Sequence, residues 1–363
     1  MAGTARRRVI FEDGWQLCAA AGVAPRPHLT TRFGGSLRFL PLAFRAVFSR
    51  LPEVTPERFA RLAMLALGAL FLIVLTGAAV RLTGSGLACP DWPTCKGHVV
   101  QSGLSSHSIV EYGNRMVSGL VGIVALVAFA AALRRRPRRR DLVLLAAALP
   151  VGVAAQGVLG ALTVQYGLKP GWVMSHFALS MVILAAAVAL AFRARHEPGE
   201  REPVADRLLV WPVRALLGWG AFVLFAGTVA TASGPHPGSS GTGQVVDRLH
   251  FWGGHTMNQV IHWHGRASTL LGVAAVGTFF LLRRRGARPQ VIRSMGIACV
   301  LMAVQGIVGA IQYETGLPTE LVWIHVGLAT ATWLALLWTT AEAGTPAPEA
   351  LRQRERLPVT QRA

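Results

Sequence analysis

Long apolar runs alternate with short polar segments along most of the chain. A bilayer core of about 30 Å needs roughly 20 apolar helical residues at about 1.5 Å each. Eight runs reach that length, near 61–81, 111–133, 141–163, 172–193, 211–232, 260–282, 292–312 and 321–341. The pattern therefore predicts an all-α membrane protein with eight transmembrane helices.

Motifs in the first half of the chain recur in the second half. The motif Gln-Gly-x-x-Gly-Ala lies at 156–161 and again at 305–310, a displacement of 149 residues that also relates His176 to His325. Each half contains an even number of predicted spans, so both halves enter the membrane in the same orientation. The parallel internal repeat predicts two tandem four-helix bundles, with corresponding residues at equal depth.

The repeat also sets the predicted domain boundaries. A weaker correspondence relates Thr76–Val80 to Ala226–Ala230 at a displacement of 150 residues. The predicted units are an N-terminal tail over 1–60, a first half over 61–193, a linker over 194–210, a second half over 211–341 and a C-terminal tail over 342–363.

Composition and charge exclude a soluble enzyme and indicate the topology. Only 15% of the residues are charged, against about 25% in soluble domains. A net charge of +19 would suggest a nucleic-acid partner in a soluble fold, but here the basic residues lie in blocks between apolar runs. The links after spans 2, 4 and 6 hold 16 of them and the alternate links hold four. The positive-inside rule then predicts a multi-pass plasma-membrane protein with both termini cytoplasmic.

The N-terminal tail is Arg-rich and has no apolar core of the kind that a cleaved signal peptide needs. A mitochondrial presequence is the weaker interpretation, because Glu12 and Asp13 interrupt the segment. We therefore expect a cytoplasmic tail.

Four of the eleven histidines fall inside apolar spans, where a polar ring needs a partner or a metal. They form one predicted layer near the starts of spans 4, 6 and 8, and comprise His176, His262, His264 and His325. Facing histidines at one depth suit the two axial ligands of a haem iron, whereas any single one could simply bond a neighbouring helix. His262 and His264 are two residues apart and cannot face the same iron. The repeat favours His264, which it relates to Asn114.

Other polar residues lie at the same predicted membrane boundary. Glu111 and Asn114 share a helix face, and the carboxyl group could relay protons or stabilise a cationic intermediate. The alternative is a solvated carboxylate at a helix N-terminus. Arg81, Arg115 and Arg266 could pair with haem propionates or extend to lipid headgroups.

The four cysteines are too few for a disulfide scaffold. Only Cys89 and Cys95 are close in sequence, and they lie in the first external loop, where oxidation is permitted. Two thiolates alone would leave a zinc ion half satisfied, so a short-loop disulfide is predicted.

Three features together resemble the haem A synthase family, whose members are membrane enzymes that oxidise a methyl group of haem O to the formyl group of haem A. They are the run at 84–93 after span 1, the run Glu111–Arg115 on span 2, and the repeated Gln-Gly-x-x-Gly-Ala motif. The likeness covers about residues 60–340.

The resemblance implies a function for each half. In the second half, His264 and His325 would ligate a haem b that transfers electrons. In the first half, the substrate haem would bind through His176, Glu111 would act in catalysis, and the loop cysteine pair would take part in the reaction or in haem delivery.

The sequence departs from the family pattern at two places, and the first of them concerns the substrate site. Asn114 occupies the position where many members have a ligand histidine, in the pattern Glu-x-x-His. Either His176 alone holds the substrate haem, or another residue such as His107 approaches from the loop. The external loop between spans 5 and 6, 233–258, also lacks the cysteine pair that some members carry there.

The predicted function is therefore haem A synthase, serving terminal oxidase assembly. Haem O synthase and an unidentified electron donor or acceptor are the expected partners, and the oligomeric state is left open. The alternatives are a dihaem membrane cytochrome b without a haem substrate and a multi-pass transporter. A prenyltransferase such as haem O synthase is excluded, because the spans lack the paired aspartates that bind magnesium and pyrophosphate.

Overall fold

The computed structural model describes residues 52–346 except 90, 92, 96, 98–104, 200–203 and 205. Most of both predicted tails, and parts of the first external loop and the linker, lie outside the described residues. The described part contains eight long helices, namely α1 Pro56–Leu82, α2 Ser106–Arg134, α3 Arg140–Gln165, α4 Pro170–Ala194, α5 Trp211–Ser233, α6 Thr256–Arg284, α7 Pro289–Glu314 and α8 Thr319–Ala343.

All eight helices are long and apolar enough to cross a membrane, which confirms the predicted all-α, eight-span fold. Several begin earlier than the apolar runs, because their first turns are polar and capped. The hydroxyl oxygen of Thr55 accepts a hydrogen bond from the Arg58 amide ahead of α1, and Ser105 accepts one from the Ser108 amide ahead of α2. Pro56 then occupies the first turn of α1, where its missing amide hydrogen costs nothing.

The helices pack in the same order in the two halves. In the first half each helix packs against its neighbour in sequence, and α1 closes the group against α4. In the second half α5 to α8 repeat this order, and α5 closes against α8. The halves meet through α1, α4, α5 and α8. A duplicated four-helix unit would give this arrangement.

Small residues fill the contacts between helices, and large apolar residues cover the outside. Ala63, Ala146 and Ala187 are completely buried, which lets helix backbones approach closely. By contrast, Val151 and Val273 expose 68% and 67% of their surface. A lipid-facing surface of this kind accounts for the scarcity of charge in the chain.

The two ends of the bundle differ in charge. At one end, which we call the disulfide end, α2, α4, α6 and α8 begin and Cys89 is bonded to Cys95. The opposite, arginine end carries ion pairs that join Arg139 to Asp141 at 2.8 Å and Arg285 to Asp206 at 3.0 Å. The basic clusters of the sequence therefore lie at one end of the helices, as a positive-inside protein requires.

Candidate functional site

Two histidine rings face each other in the second half, near the disulfide end. His264 lies on α6 and His325 on α8, and their ring centres are 6.4 Å apart with an angle of 70° between the planes. Both residues are partly buried. Each Nδ1 atom is buried without a hydrogen-bond partner in the part of the chain that the structure describes. The imidazole of His264 also interacts with the backbone of Val223 on α5.

This separation fits a metal ion held between the rings. A metal–nitrogen bond of about 2 Å on each side, with about 1 Å from each nitrogen to its ring centre, places two opposed imidazoles roughly 6 Å apart. The simpler interpretation requires an interhelical hydrogen bond from each ring, and neither Nδ1 atom makes one within the described residues. The two histidines would therefore be able to hold the iron of a bound haem.

Glycine residues on neighbouring helices make room for the rings. A β-carbon added to Gly227 on α5 would lie 3.1 Å from Cε1 of His264, and one added to Gly309 on α7 would lie 3.1 Å from Cε1 of His325. In the first half, a β-carbon on Gly160 would lie 3.3 Å from Cε1 of His176. These approaches explain the second glycine of each Gln-Gly-x-x-Gly-Ala motif.

The glutamine of the first motif also holds the helix that carries the ring. Gln156 donates through Nε2 to the carbonyl of His176, at 2.9 Å, and to the hydroxyl of Ser180. One motif thus fixes both the backbone and the packing space of His176.

The first half offers one imidazole where the second offers two. Asn114 corresponds to His264, and its Oδ1 accepts a hydrogen bond of 2.8 Å from the Thr76 hydroxyl. Among the described residues, nothing lies within 4 Å of a β-carbon added to Gly77, whereas the corresponding Gly227 is covered by a ring. The shorter carboxamide therefore leaves open space beside α1. His176 has a buried Nδ1 atom that is unpaired within the described residues, as His264 and His325 do.

His262 points away from the paired rings. It is exposed and makes an edge contact with Tyr313, with ring centres 5.7 Å apart. The Tyr313 hydroxyl in turn donates to Oδ1 of Asn258 at 2.9 Å. The two-residue spacing thus gives His262 and His264 different surroundings, as predicted.

His107 serves the contact between two loops. Its Nδ1 lies 2.9 Å from the Ser85 hydroxyl, and its ring packs directly on Gly241 in the loop between α5 and α6. These contacts give no support to the hypothesis that His107 approaches a substrate haem as a second ligand.

Glu111 is buried, with 4% of its surface exposed, beneath the first external loop. Its Oε2 accepts a hydrogen bond of 2.8 Å from the Cys89 amide, and its Oε1 pairs with Arg115 at 2.6 Å. The alternative of a solvated carboxylate at a helix N-terminus is therefore wrong, because the loop folds over the start of α2. The predicted disulfide between Cys89 and Cys95 is confirmed, and both cysteines are buried.

The three predicted arginines have different surroundings. Arg115 is held by Glu111 and donates to the carbonyls of Asp91 and Thr94, at 2.6 Å each. Arg266 is exposed and lies over the ring of Trp263, with 5.3 Å from its guanidinium carbon to the ring centre. Of these two, only Arg115 is drawn into the loop that covers Glu111.

Arg81 lies beside an arginine that the sequence patterns did not single out. Arg81 donates to the carbonyls of Thr231 and His236, at 2.9 and 3.0 Å. Arg248 donates to the same Thr231 carbonyl at 2.6 Å, and burial lowers the pKa of its guanidinium. The only signal in the sequence was that Arg248 is the single Lys or Arg residue of the external loop between α5 and α6.

Residues 60–260 match the cytochrome oxidase assembly protein family, and this match covers more than half of the chain. The chain belongs to this family. A heme A synthase of Bacillus cereus (strain AH187) is 25% identical over 268 residues, which are 70% of this chain and 84% of the relative. One of Bacillus anthracis (strain CDC 684 / NRRL 3495) is 26% identical over 267 residues, with the same coverage. The resemblance stated from the sequence is confirmed.

The glycine contacts predict that a larger residue at position 309 disturbs haem binding, whereas a larger residue at position 306 does not. Gly309→Val places methyl groups where the His325 ring lies, so we expect loss of most of the bound haem, measured as Soret absorbance per purified protein. Overpacking at such a contact costs about 1–3 kcal/mol. Gly306→Val is the matched control, because a β-carbon there would meet nothing within 4 Å. Equal haem content in both variants would contradict the assignment of this contact.

Proposed function

We propose that this member of the cytochrome oxidase assembly protein family is a haem A synthase, a haem-dependent membrane oxidoreductase. Its product would be haem A, made by oxidising the methyl group of haem O to a formyl group. The observation that carries the proposal is the facing pair His264 and His325, whose buried Nδ1 atoms have no other partner within the described residues. The names of the relatives favour this enzyme over a dihaem cytochrome without a haem substrate.

The second half, 211–341, would hold a haem b between His264 and His325. When bound, this haem supplies one-electron redox chemistry. The protein fixes the direction of each imidazole through the close contacts with Gly227 and Gly309. Because packing sets the orientation of both rings, the imidazoles would move little when the haem gains or loses an electron.

The first half, 61–193, would hold the substrate haem through His176 alone. The support is the open space beside Gly77 and the attachment of Asn114 to Thr76. Because the Asn114 carboxamide is hydrogen-bonded to Thr76, it is a poor candidate for an iron ligand. It is a better candidate for a hydrogen-bond partner within the substrate site.

Glu111 would act as a proton acceptor. Oxidation of a methyl group to a formyl group releases protons as well as electrons and adds one oxygen atom. The carboxylate of Glu111 is buried, and its Oε2 accepts from the Cys89 amide, whereas its Oε1 is paired with Arg115. We therefore assign Oε2 as the atom that accepts a proton.

The reaction also needs a supply of haem O and a partner for electrons. Haem O synthase is the proposed source of the substrate, and a membrane electron donor or acceptor would exchange electrons with haem b. The 194–210 linker and the two tails would lie on the cytoplasmic side.

A production assay tests the function and the role of Glu111 together. The full chain is expressed in cells that make haem O but not haem A, and extracted haems are separated by chromatography. We expect haem A from the wild type and none from Glu111→Ala, with the haem b spectrum kept in both. Glu320→Ala, an exposed acid at the start of α8, should make haem A normally.

Each contrary result has a distinct meaning. Normal haem A from Glu111→Ala would refute the proton role. Two tightly bound haems without any haem A would favour the dihaem cytochrome, and protein without Soret absorbance would favour the transporter.

A second test concerns the ligands of the substrate haem. We expect haem O bound to the wild type to give a high-spin electron paramagnetic resonance signal beside the low-spin signal of haem b. Asn114→His introduces in the first half the histidine that His264 provides at the corresponding position of the second half. It should therefore convert the high-spin signal to low-spin. Asn258→His, at an exposed position on α6, should leave the high-spin signal unchanged. Only low-spin haem in the wild type would overturn the single-ligand assignment.

The proposed location is the plasma membrane, with the arginine end cytoplasmic. Cysteines are introduced at Lys169, at the disulfide end, or at Arg285, at the arginine end, in a chain whose Cys18 and Cys299 are changed to serine. In intact cells, a membrane-impermeant maleimide should label Lys169→Cys and should label Arg285→Cys only after permeabilisation. The reverse pattern would invert the topology.

A further inference from the structure

Two arginines from different halves of the chain meet at one backbone carbonyl. Arg81 lies at the end of α1, and Arg248 lies in the loop that precedes α6. The Nη2 atom of Arg81 donates to the Thr231 carbonyl at 2.9 Å, and the Nη2 atom of Arg248 donates to the same oxygen at 2.6 Å. The two guanidinium groups are therefore neighbours.

The hydrogen-bond partners of these two cations are neutral carbonyl groups. Arg81 also donates to the His236 carbonyl, and Arg248 also donates to the Gly234 carbonyl. Within the described ranges, no salt bridge links either arginine to a carboxylate, even though Asp247 is adjacent in sequence. Two partly buried like charges at this separation repel each other, and an anion between them would relieve that repulsion.

Both guanidinium groups keep donors that could bind such an anion. The hydrogen bonds of Arg81 and Arg248 use Nε and Nη2, so the Nη1 group of each remains available within the described part of the protein. Neither Nη1 atom is among the buried, unpaired side-chain atoms of the described residues. Planar guanidinium groups are the side chains best suited to bind carboxylate or phosphate oxygens.

The pair lies close to the second-half histidines. Thr231, which both arginines contact, is four residues beyond Gly227 on α5, and the His264 ring packs on Gly227. Four residues correspond to about one helical turn, or roughly 6 Å along the axis. The arginines therefore lie on the disulfide side of the paired rings, where the bundle reaches the membrane surface.

We propose that Arg81 and Arg248 together bind one oxyanion group. Its sources are the carboxylate of the haem held by His264 and His325, or the phosphate of a lipid headgroup. The carboxylate source rests on the proposed function, whereas the phosphate source does not. Arg81 belongs to the first half, so the bound anion would join the two halves at this end of the bundle.

The test compares purified full-length proteins that differ by one charge. Arg248→Gln removes a cation from the pair, and Arg248→Lys keeps the charge without the planar fork. Lys169→Gln is the matched control, because it removes an exposed cation at the same end. Two quantities are measured for each protein: the midpoint potential of haem b by redox titration, and the anionic phospholipid retained in native mass spectrometry.

A haem carboxylate predicts a lower midpoint potential in Arg248→Gln, because removing a positive charge near the iron favours the oxidised form. Arg248→Lys should recover part of this shift, and Lys169→Gln should show none. A lipid phosphate predicts an unchanged potential and a several-fold loss of retained anionic phospholipid in Arg248→Gln. Either pattern supports the site and identifies the source.

The opposite results overturn the proposal. Arg248→Gln protein that melts like the wild type and shows neither change would show that the pair binds no anion. Where Arg248→Gln does not fold, Arg81→Gln removes the other cation of the pair, and wild-type potential and lipid content in that variant would exclude the anion site equally. Wild-type protein that purifies without haem would contradict the proposed function alone, because the lipid measurement still tests the arginine pair.

Discussion

The contact of an imidazole ring with a glycine on the next helix is the interaction on which the rest of the site depends. In an apolar bundle, a buried polar ring without a partner is costly, and helices normally avoid it. Here three rings, those of His176, His264 and His325, lie against glycines with an Nδ1 that is unpaired within the described residues. Packing rather than hydrogen bonding holds them in place, which leaves their coordinating capacity for a metal.

The same scaffold gives two different sites because one side chain differs. His264 extends across the bundle and covers Gly227, whereas Asn114 is short enough to be held by Thr76 on α1. The surrounding helices pack in the same order in both halves. Under the proposed function, one half would retain a haem with two ligands, and the other would leave room for a haem that must enter and leave.

The fold could be predicted from the sequence because few kinds of structure can span a membrane. Apolar run length predicted all eight helices, and only the starts were displaced, as at Ser106, where polar first turns carry no hydropathy signal. The pairing of His264 with His325 followed from equal depth and the repeat. The burial of Glu111 and the position of Arg248 could not be predicted, because both depend on how irregular loops fold over the helix ends.

The first external loop belongs to the site as a structural component. Its Cys89 amide is bonded to Glu111, and Arg115 ties Glu111 to the loop carbonyls of Asp91 and Thr94. The disulfide closes this loop to Cys95, so the position of the carboxylate depends on the loop conformation. Glu111 lies one turn from Asn114 on the same helix. A change in the conformation of the loop would therefore move Glu111, the proposed proton acceptor. The disulfide restrains the loop and so keeps Glu111 beside the open space in the first half of the bundle.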